Sequence, residues 1–176
     1  LSGARLGSDA TFDGTRISGG FKMYTGSLGR LSMCVYPTIS ADGAVGGIYA
    51  EVGYLRIVDV TGIKSMVLSG IKVARRTEGI SSLYLRNIRC SGSIHFHWGK
   101  GELNEFNEIL DGRLASFRSD EEARGRFKAT CLNKLESFKQ SFHAEIKDGD
   151  LEMQHVAIGG SLDLTNLQAP NGDILL

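Results

Sequence analysis

Proline and cysteine are scarce in this sequence, and neither sign of charge dominates. Two prolines accompany 23 glycines in 176 residues, a balance that indicates many tight corners in an ordered chain. The three cysteines, Cys34, Cys90 and Cys131, form no C-x-x-C pair, which argues against a disulfide framework and favours reduced, buried thiols. Lys and Arg number 20, as do Asp and Glu, so the charge balance predicts no binding to nucleic acid.

Long apolar runs are missing as well. No stretch approaches the roughly 18 apolar residues of a membrane-spanning helix, and the chain does not open with a secretory signal pattern. Because the sequence begins at Leu1 inside a repetitive pattern, we expect a segment of a longer protein. The sparse, reduced cysteines favour a cytoplasmic location.

Apolar residues recur at a spacing of eleven positions, as in Leu55 and Met66 or Leu85 and Phe96. Within each unit, apolar and polar residues alternate, which is typical of short strands with one buried face. Glycine pairs at 19–20, 46–47 and 159–160 are predicted to lie at the corners between strands. The rival reading of an eleven-residue repeat, a helical supercoil, is disfavoured because each glycine would cost a helix about 1 kcal/mol.

Two such units would make one turn of a stacked coil. We therefore predict an all-β fold, a right-handed parallel β-helix (solenoid) that forms one domain over 1–176. The stretches GARLGSDATF, RISGGFKM and AIGGSLDLTNL resemble the repeats of bacterial pentapeptide-like β-solenoid proteins and of bactofilin-type β-helices. The resemblance covers 1–23, 52–98 and 150–176, departs from strict five-residue units, and implies an elongated scaffold without catalytic residues.

Residues 102–142 change character and predict an inserted α-helical hairpin. A first helix is expected over 102–111, and a second is expected to begin after Ser119, an N-cap candidate with Glu122 at the third helical position. An apolar stripe at helical spacing follows. We expect this stripe to pack against the solenoid or to dock a partner, and the candidate interaction residues are Phe127, Leu135, Phe138, Phe142 and Trp98.

Candidate chemistry is sparse. On a strand, His95 and His97 would share one face, and two imidazoles could begin a metal site; exposed strand histidines are the plainer interpretation. Polysaccharide-cleaving enzymes use paired carboxylates, but no recognisable pair is marked in the sequence. The available aspartates are Asp9, Asp13, Asp59, Asp148, Asp150 and Asp163. No phosphate-binding loop and no nucleophile elbow is present, so we predict neither catalytic residues nor a cofactor.

The predicted function is that of a non-enzymatic structural scaffold or protein-interaction module. Its partner would be another protein or a second copy, bound through the open coil ends or the helical hairpin. The alternative is a carbohydrate-binding or polysaccharide-cleaving protein, which a groove with aromatic side chains and two carboxylates would favour.

Overall fold

The structure, a computed structural model, describes residues 2–6 (backbone only), 9–74, 82–117 and 120–176. It contains two α-helices, α1 (Lys100–Leu114) and α2 (Glu121–Ser141), joined through a 3-10 turn at Ala115–Phe117. Neither helix in these ranges has both the length and the apolarity needed to cross a membrane.

Sixteen short strands make up most of the remaining described chain. In chain order they are β1 (Ser2–Leu6), β2 (Ala10–Thr11), β3 (Arg16–Leu28), β4 (Arg30–Ser32), β5 (Tyr36–Ile39), β6 (Val45–Ile48), β7 (Glu51–Val60), β8 (Ser65–Val67), β9 (Lys72–Val73), β10 (Leu83–Cys90), β11 (Ile94–His95), β12 (Ala144–Ile146), β13 (Leu151–Ile158), β14 (Leu162–Asp163), β15 (Leu167–Gln168) and β16 (Ile174–Leu175).

The strands form a curled parallel sheet, a second parallel sheet and one antiparallel hairpin. Seven strands run through the curled sheet in the order β15-β12-β9-β7-β10-β13-β16, and β3 and β1 extend it beside β7. The small sheet has the order β14-β11-β8-β4-β2, and β5 pairs with β6 in the hairpin. The inward side chains of the two parallel sheets share one dry core, in which Leu55, Met66 and Phe96 are fully buried.

The predicted all-β solenoid is therefore wrong. The chain is a mixed α/β protein whose parallel sheet curls into a half-barrel. Strand partners do not follow a constant turn of about 22 residues: Phe21 pairs with Leu55, Leu55 with Leu83, and Leu83 with Leu151. The connection from β3 to β7 carries the hairpin, and the connection from β10 to β13 carries the two helices.

The eleven-residue spacing has a different origin from the one predicted. Leu55 lies in β7 of the curled sheet and Met66 in β8 of the small sheet, so the two side chains enter the shared core from different sheets instead of stacking in one column. Of the glycine pairs, only 159–160 lies at a corner, between β13 and β14, whereas 19–20 and 46–47 lie inside β3 and β6.

A ladder of left-handed residues marks one bend of the curled sheet. Thr25, Asp59, Asn87 and His155 all have φ between 48° and 57° and occupy neighbouring positions in β3, β7, β10 and β13. Such conformations are uncommon outside glycine. The Asn87 side-chain amide donates to Asp59 Oδ1 at 2.7 Å, which links two steps of the ladder and supports the bend.

The helices build a second core with the hairpin. Phe106, Leu110 and Leu114 of α1 pack with Cys131 and Leu135 of α2 against the β5–β6 hairpin. The apolar stripe of α2 thus faces the hairpin, not a solenoid flank. The N-cap of α2 is Asp120, whose side chain accepts from the Ala123 amide at 2.9 Å; the predicted cap Ser119 lies outside the described residues.

Candidate functional site

A polar row crosses the outer face of the small sheet. Leu31, Met66 and Ile94 point into the core, so the residues that follow them point outward. These outward residues stand in register from β4 to β14. Three of them are polar, namely Ser32, His95 and Asp163, and the apolar Val67 lies between Ser32 and His95. The sheet therefore presents polar groups on the side where α1 begins.

The first turns of α1 close this row into a cavity of about 140 Å³. Its polar lining combines residues from three parts of the chain, and these are Thr11, Asp13, Arg30, Ser32, Cys34, Glu102 and Glu105. A Cβ placed on Gly101 would lie 3.4 Å from Arg30 Nη2, so the guanidinium reaches the first turn of α1. We call this cavity the α1 pocket.

One wall of the α1 pocket is a set of side chains linked by hydrogen bonds. Asp13 Oδ1 accepts from the Cys34 amide at 2.7 Å and from the Ser32 hydroxyl at 2.8 Å. Ser32 Oγ lies 3.2 Å from Cys34 Sγ. The Cys34 thiol donates to the Val67 carbonyl oxygen at 3.5 Å. These hydrogen bonds hold Asp13 and Ser32 in one orientation.

The other walls carry charged groups that are not satisfied. Arg30 Nε, Glu102 Oε1 and Glu105 Oε2 are buried without a hydrogen-bond partner in the described part of the chain. The second oxygen of Glu102 accepts from the Gly99 amide at 3.0 Å at the start of α1, and Glu102 is only 3% exposed. Buried polar atoms without partners are rare and costly. Because three of them lie around one cavity, the α1 pocket is a candidate ligand site.

The electrostatics of the α1 pocket oppose nucleophilic chemistry. Burial, with Glu102 and Asp13 nearby, raises the pKa of the Cys34 thiol well above its usual range, so the reactive thiolate is disfavoured. Burial and the carboxylates of Asp13 and Glu102 also raise the pKa of Glu105. The pocket can thus hold one carboxyl group in its protonated form more readily than an exposed glutamate would.

An open groove of about 620 Å³ adjoins the other side of the start of α1. Trp98 lines it and packs edge-on against Phe138 and Phe142, with ring centroids 5.5 Å apart in both pairs. His97 Nδ1 lies 3.1 Å from Asp163 Oδ2, without hydrogen-bond alignment. We call this surface the Trp98 groove; it combines an aromatic side chain with one carboxylate.

The two predicted histidines are neighbours. Their ring centroids are 5.0 Å apart, and burial, with His97 close by, lowers the pKa of His95. Within the described ranges no cluster of three His, Cys, Asp or Glu side chains has the geometry to hold a metal ion. The pair thus lacks the further ligands that a metal site would require.

The predicted interaction residues are mostly turned inward. Leu135 and Phe142 are each 2% exposed, and Phe127 packs against the second core. Phe138 joins Trp98 at the edge of the groove. The apolar stripe of α2 is therefore used within the chain, and only the Trp98–Phe138 end borders a surface that a ligand could reach.

Of the aspartates that sequence offered for catalysis, Asp13 lines the α1 pocket and Asp163 the Trp98 groove. Asp9 and Asp150 accept backbone amides, of Arg30 and Asp173, at 2.9 Å each. Asp148 accepts a side-chain amide of Asn171 at 3.2 Å. These roles are structural.

Sequence reasoning missed Arg30, Ser32, Glu102 and Glu105. A signal was present for Glu102, since it precedes Phe106 by four positions and Phe106 precedes Leu110 by four. A charged side chain at that spacing falls on the buried stripe of a helix, where an unpaired charge needs a reason. Nothing in the linear order points to Arg30.

Comparison of the chain with protein-family models, with curated proteins and with solved structures finds no match.

Proposed function

We propose that this protein is a non-enzymatic interaction module whose α1 pocket binds a small zwitterion of the size and charge of a free α-amino acid. The single observation that supports this is the set of three buried, unpartnered polar atoms around the cavity, one donor on Arg30 and two acceptors on Glu102 and Glu105. A ligand with a carboxylate and an ammonium group supplies both missing kinds of partner.

Charge placement favours this ligand over a simple ion. Arg30 reaches the first turn of α1, where the helix dipole also attracts negative charge, so the ligand carboxylate belongs there. The carboxyl groups of Glu102 and Glu105 suit an ammonium group, and the soft terminal torsion of glutamate lets each free oxygen turn into the cavity. The Cys34 thiol is kept protonated, and among the described residues no imidazole is bonded to the Ser32 hydroxyl. Neither side chain is therefore activated as a nucleophile, which supports ligand binding without catalysis.

The expected affinity is modest. The best small ligands gain about 1.5 kcal/mol per non-hydrogen atom, and glycine or alanine has few such atoms. The cost of ordering the ligand and removing its water reduces that gain, so dissociation constants from micromolar to millimolar are expected. At a ligand concentration a hundredfold above Kd, the free energy of unfolding should rise by about 2–3 kcal/mol.

Isothermal titration calorimetry tests the proposal with glycine, alanine and serine. Trimethylglycine, which has the same charges but no N–H donors, and acetate should bind much more weakly. Glu102→Gln should reduce the affinity for glycine at least tenfold, while Glu108→Gln, an exposed glutamate on the same helix, should leave it unchanged. Circular dichroism verifies that both variants are folded. If trimethylglycine binds as well as glycine, or if no amino acid binds at millimolar concentration, the proposal fails.

A carbohydrate-binding function is the second candidate, and the Trp98 groove favours it. An aromatic side chain beside Asp163, Thr165 and Asn166 offers a stacking surface with polar groups at its edge. Because Asp163 is the one carboxylate among the described residues that line the groove, binding suits it better than cleavage, which needs two. Trp98 is the only tryptophan, so its fluorescence should change on titration with oligosaccharides; an unchanged spectrum with a panel of neutral and acidic oligosaccharides contradicts this candidate.

A further inference from the structure

The β5–β6 hairpin has two outer edges, and only one of them is protected. Within the described ranges the hairpin pairs with no other strand, so each of its strands has one edge without a partner strand. The strand β5 contains Pro37, which has no N–H group, and it lies against α1. The strand β6 has the sequence VGGI, with neither a proline nor a charge. Open edges of natural sheets usually carry such residues, so the edge of β6 lacks this protection.

The register of the hairpin shows which backbone groups of β6 lie at this edge. The Ser40 amide donates to the Ala44 carbonyl oxygen at 3.0 Å. Because bonded and non-bonded pairs alternate along an antiparallel ladder, Val45 and Gly47 belong to the non-bonded pairs. Their N–H and C=O groups therefore point away from β5, and they make no backbone hydrogen bond to another described residue. Donors and acceptors of the main chain are thus left for a further strand.

Exposed apolar side chains lie next to this edge on the outer face of the hairpin. Tyr36 and Ile48 are cross-strand partners and are 42% and 53% exposed. Gly46 lies two positions before Ile48 on the same face of β6. Because Gly46 has no side chain, a side chain of an added strand can pack on Ile48 without obstruction. The edge therefore offers an apolar contact as well as backbone groups.

The helix α2 limits what can pair with this edge. A Cβ placed on Gly47 would lie 3.0 Å from Phe138 Cζ, and one on Gly43 would lie 3.3 Å from Thr130 Cγ2, so α2 runs beneath β6. Pairing of β6 with β6 of a second copy would place the two strands about 4.8 Å apart, with both α2 helices on the same side of the joined sheet. Packed helices need about 8–10 Å between their axes, so the two helices would collide. The arrangement favours a partner that contributes a single strand.

We propose that the edge of β6 binds an extended, uncharged segment of a partner protein, which adds to the hairpin as a third strand. The backbone groups of Val45 and Gly47 form hydrogen bonds with the main chain of the segment, and its apolar side chains pack on Ile48. A charged segment is disfavoured because β6 has no charged side chain to pair with it. The helix α2, which lies beneath β6, covers one face of the added strand.

Fluorescence anisotropy with a labelled synthetic peptide tests the proposal. The peptide alternates valine and threonine and has blocked termini, and a matched peptide carries an N-methyl group on every residue. The unmethylated peptide should bind in the micromolar range. The methylated peptide should bind about tenfold more weakly or less, because it has no N–H groups to donate to β6.

Two pairs of variants locate the binding edge. Ile48→Lys places a charge beside the edge and should weaken peptide binding about tenfold or more, whereas Leu132→Lys, at an apolar residue of α2 that is 41% exposed, should not. Val45→Pro removes one N–H donor and should bind the peptide more weakly than Val45→Ala, which also shortens the side chain but keeps the donor. Circular dichroism verifies that each variant is folded.

Several outcomes would overturn the proposal. These are equal binding of the methylated and unmethylated peptides, equal binding by Val45→Pro and Val45→Ala when both are folded, no effect of Ile48→Lys, and no binding at millimolar peptide. Sedimentation equilibrium of the parent protein tests the second copy as the occupant. A dimer that Ile48→Lys abolishes would mean that β6 pairs with itself, which also contradicts the proposal.

Discussion

Replacing Asp13 by alanine removes the acceptor that organises the α1 pocket. The carboxylate accepts the Ser32 hydroxyl at 2.8 Å and the Cys34 amide at 2.7 Å, and Ser32 and Cys34 are 2% and 1% exposed. Hydrogen bonds to a charged group contribute about 1.5–3 kcal/mol each, and a buried donor left without a partner costs about 1–3 kcal/mol. Because the two bonds share one carboxylate, their losses do not simply add.

We therefore expect Asp13→Ala to lower the free energy of unfolding by about 2–4 kcal/mol. Asp13→Asn keeps an acceptor oxygen in the same place and should lose about half as much. Asp111→Ala, at an exposed position of α1, should stay within about 0.5 kcal/mol of the parent protein. Urea denaturation followed by circular dichroism measures all three. The reasoning is refuted if Asp13→Ala is no more destabilising than Asp111→Ala.

The same variant has a second readout. The Asp13 carboxylate is one of the charges that raise the pKa of Glu105. Its removal should therefore bring the pKa of Glu105 closer to the ordinary glutamate value, which NMR titration of the Glu105 carboxyl carbon detects. An unchanged titration in folded Asp13→Ala would mean that Asp13 does not contribute and that burial and the remaining carboxylates, chiefly Glu102, raise the pKa of Glu105.

Three further predictions concern the titration of the pocket, the core and the corners. The raised pKa of Glu105 means that its contribution to stability is present below the ordinary value of 4.5 and is lost as pH rises through the folded-state pKa. The parent protein should therefore lose stability relative to Glu105→Gln as pH rises through that range in urea titrations; a difference independent of pH would contradict this. Phe96→Ala should cost about 3–5 kcal/mol in thermal or urea unfolding, because the ring is fully buried, and a loss below about 1 kcal/mol would exclude Phe96 from the core. A side chain at Gly92 would overlap the Lys64 carbonyl oxygen, so Gly92→Ala should destabilise the protein by about 1–3 kcal/mol. Gly112 has open space around it in α1, so Gly112→Ala should be neutral or stabilising by up to about 1 kcal/mol. Equal effects of the two substitutions on the free energy of unfolding would show that the nearby backbone at Gly92 is not the cause.

The α1 pocket itself was only partly visible in the sequence. Glu102 carries a signal because it lies at the start of the apolar stripe of α1, and Asp13 was among the available carboxylates. Arg30, Ser32 and Cys34 carry no local signal, because their roles depend on β4 lying under the start of α1. The pocket forms only when the fold brings three distant segments of the chain together, so no single segment predicts it.

Local order is what the sequence by itself determined. The spacing of Phe127, Cys131 and Leu135 is set by the helical period, and the alternation through Leu55 and Ile57 by the strand period; both are properties of neighbouring residues, so both predictions hold in β7 and α2. Tertiary structure alone decided which strands pair, because a parallel strand can take its partner after a connection of any sufficient length. Equal spacing along the chain therefore suggested stacked coils, whereas the folded chain places Leu55 and Met66 in two sheets that close on one core.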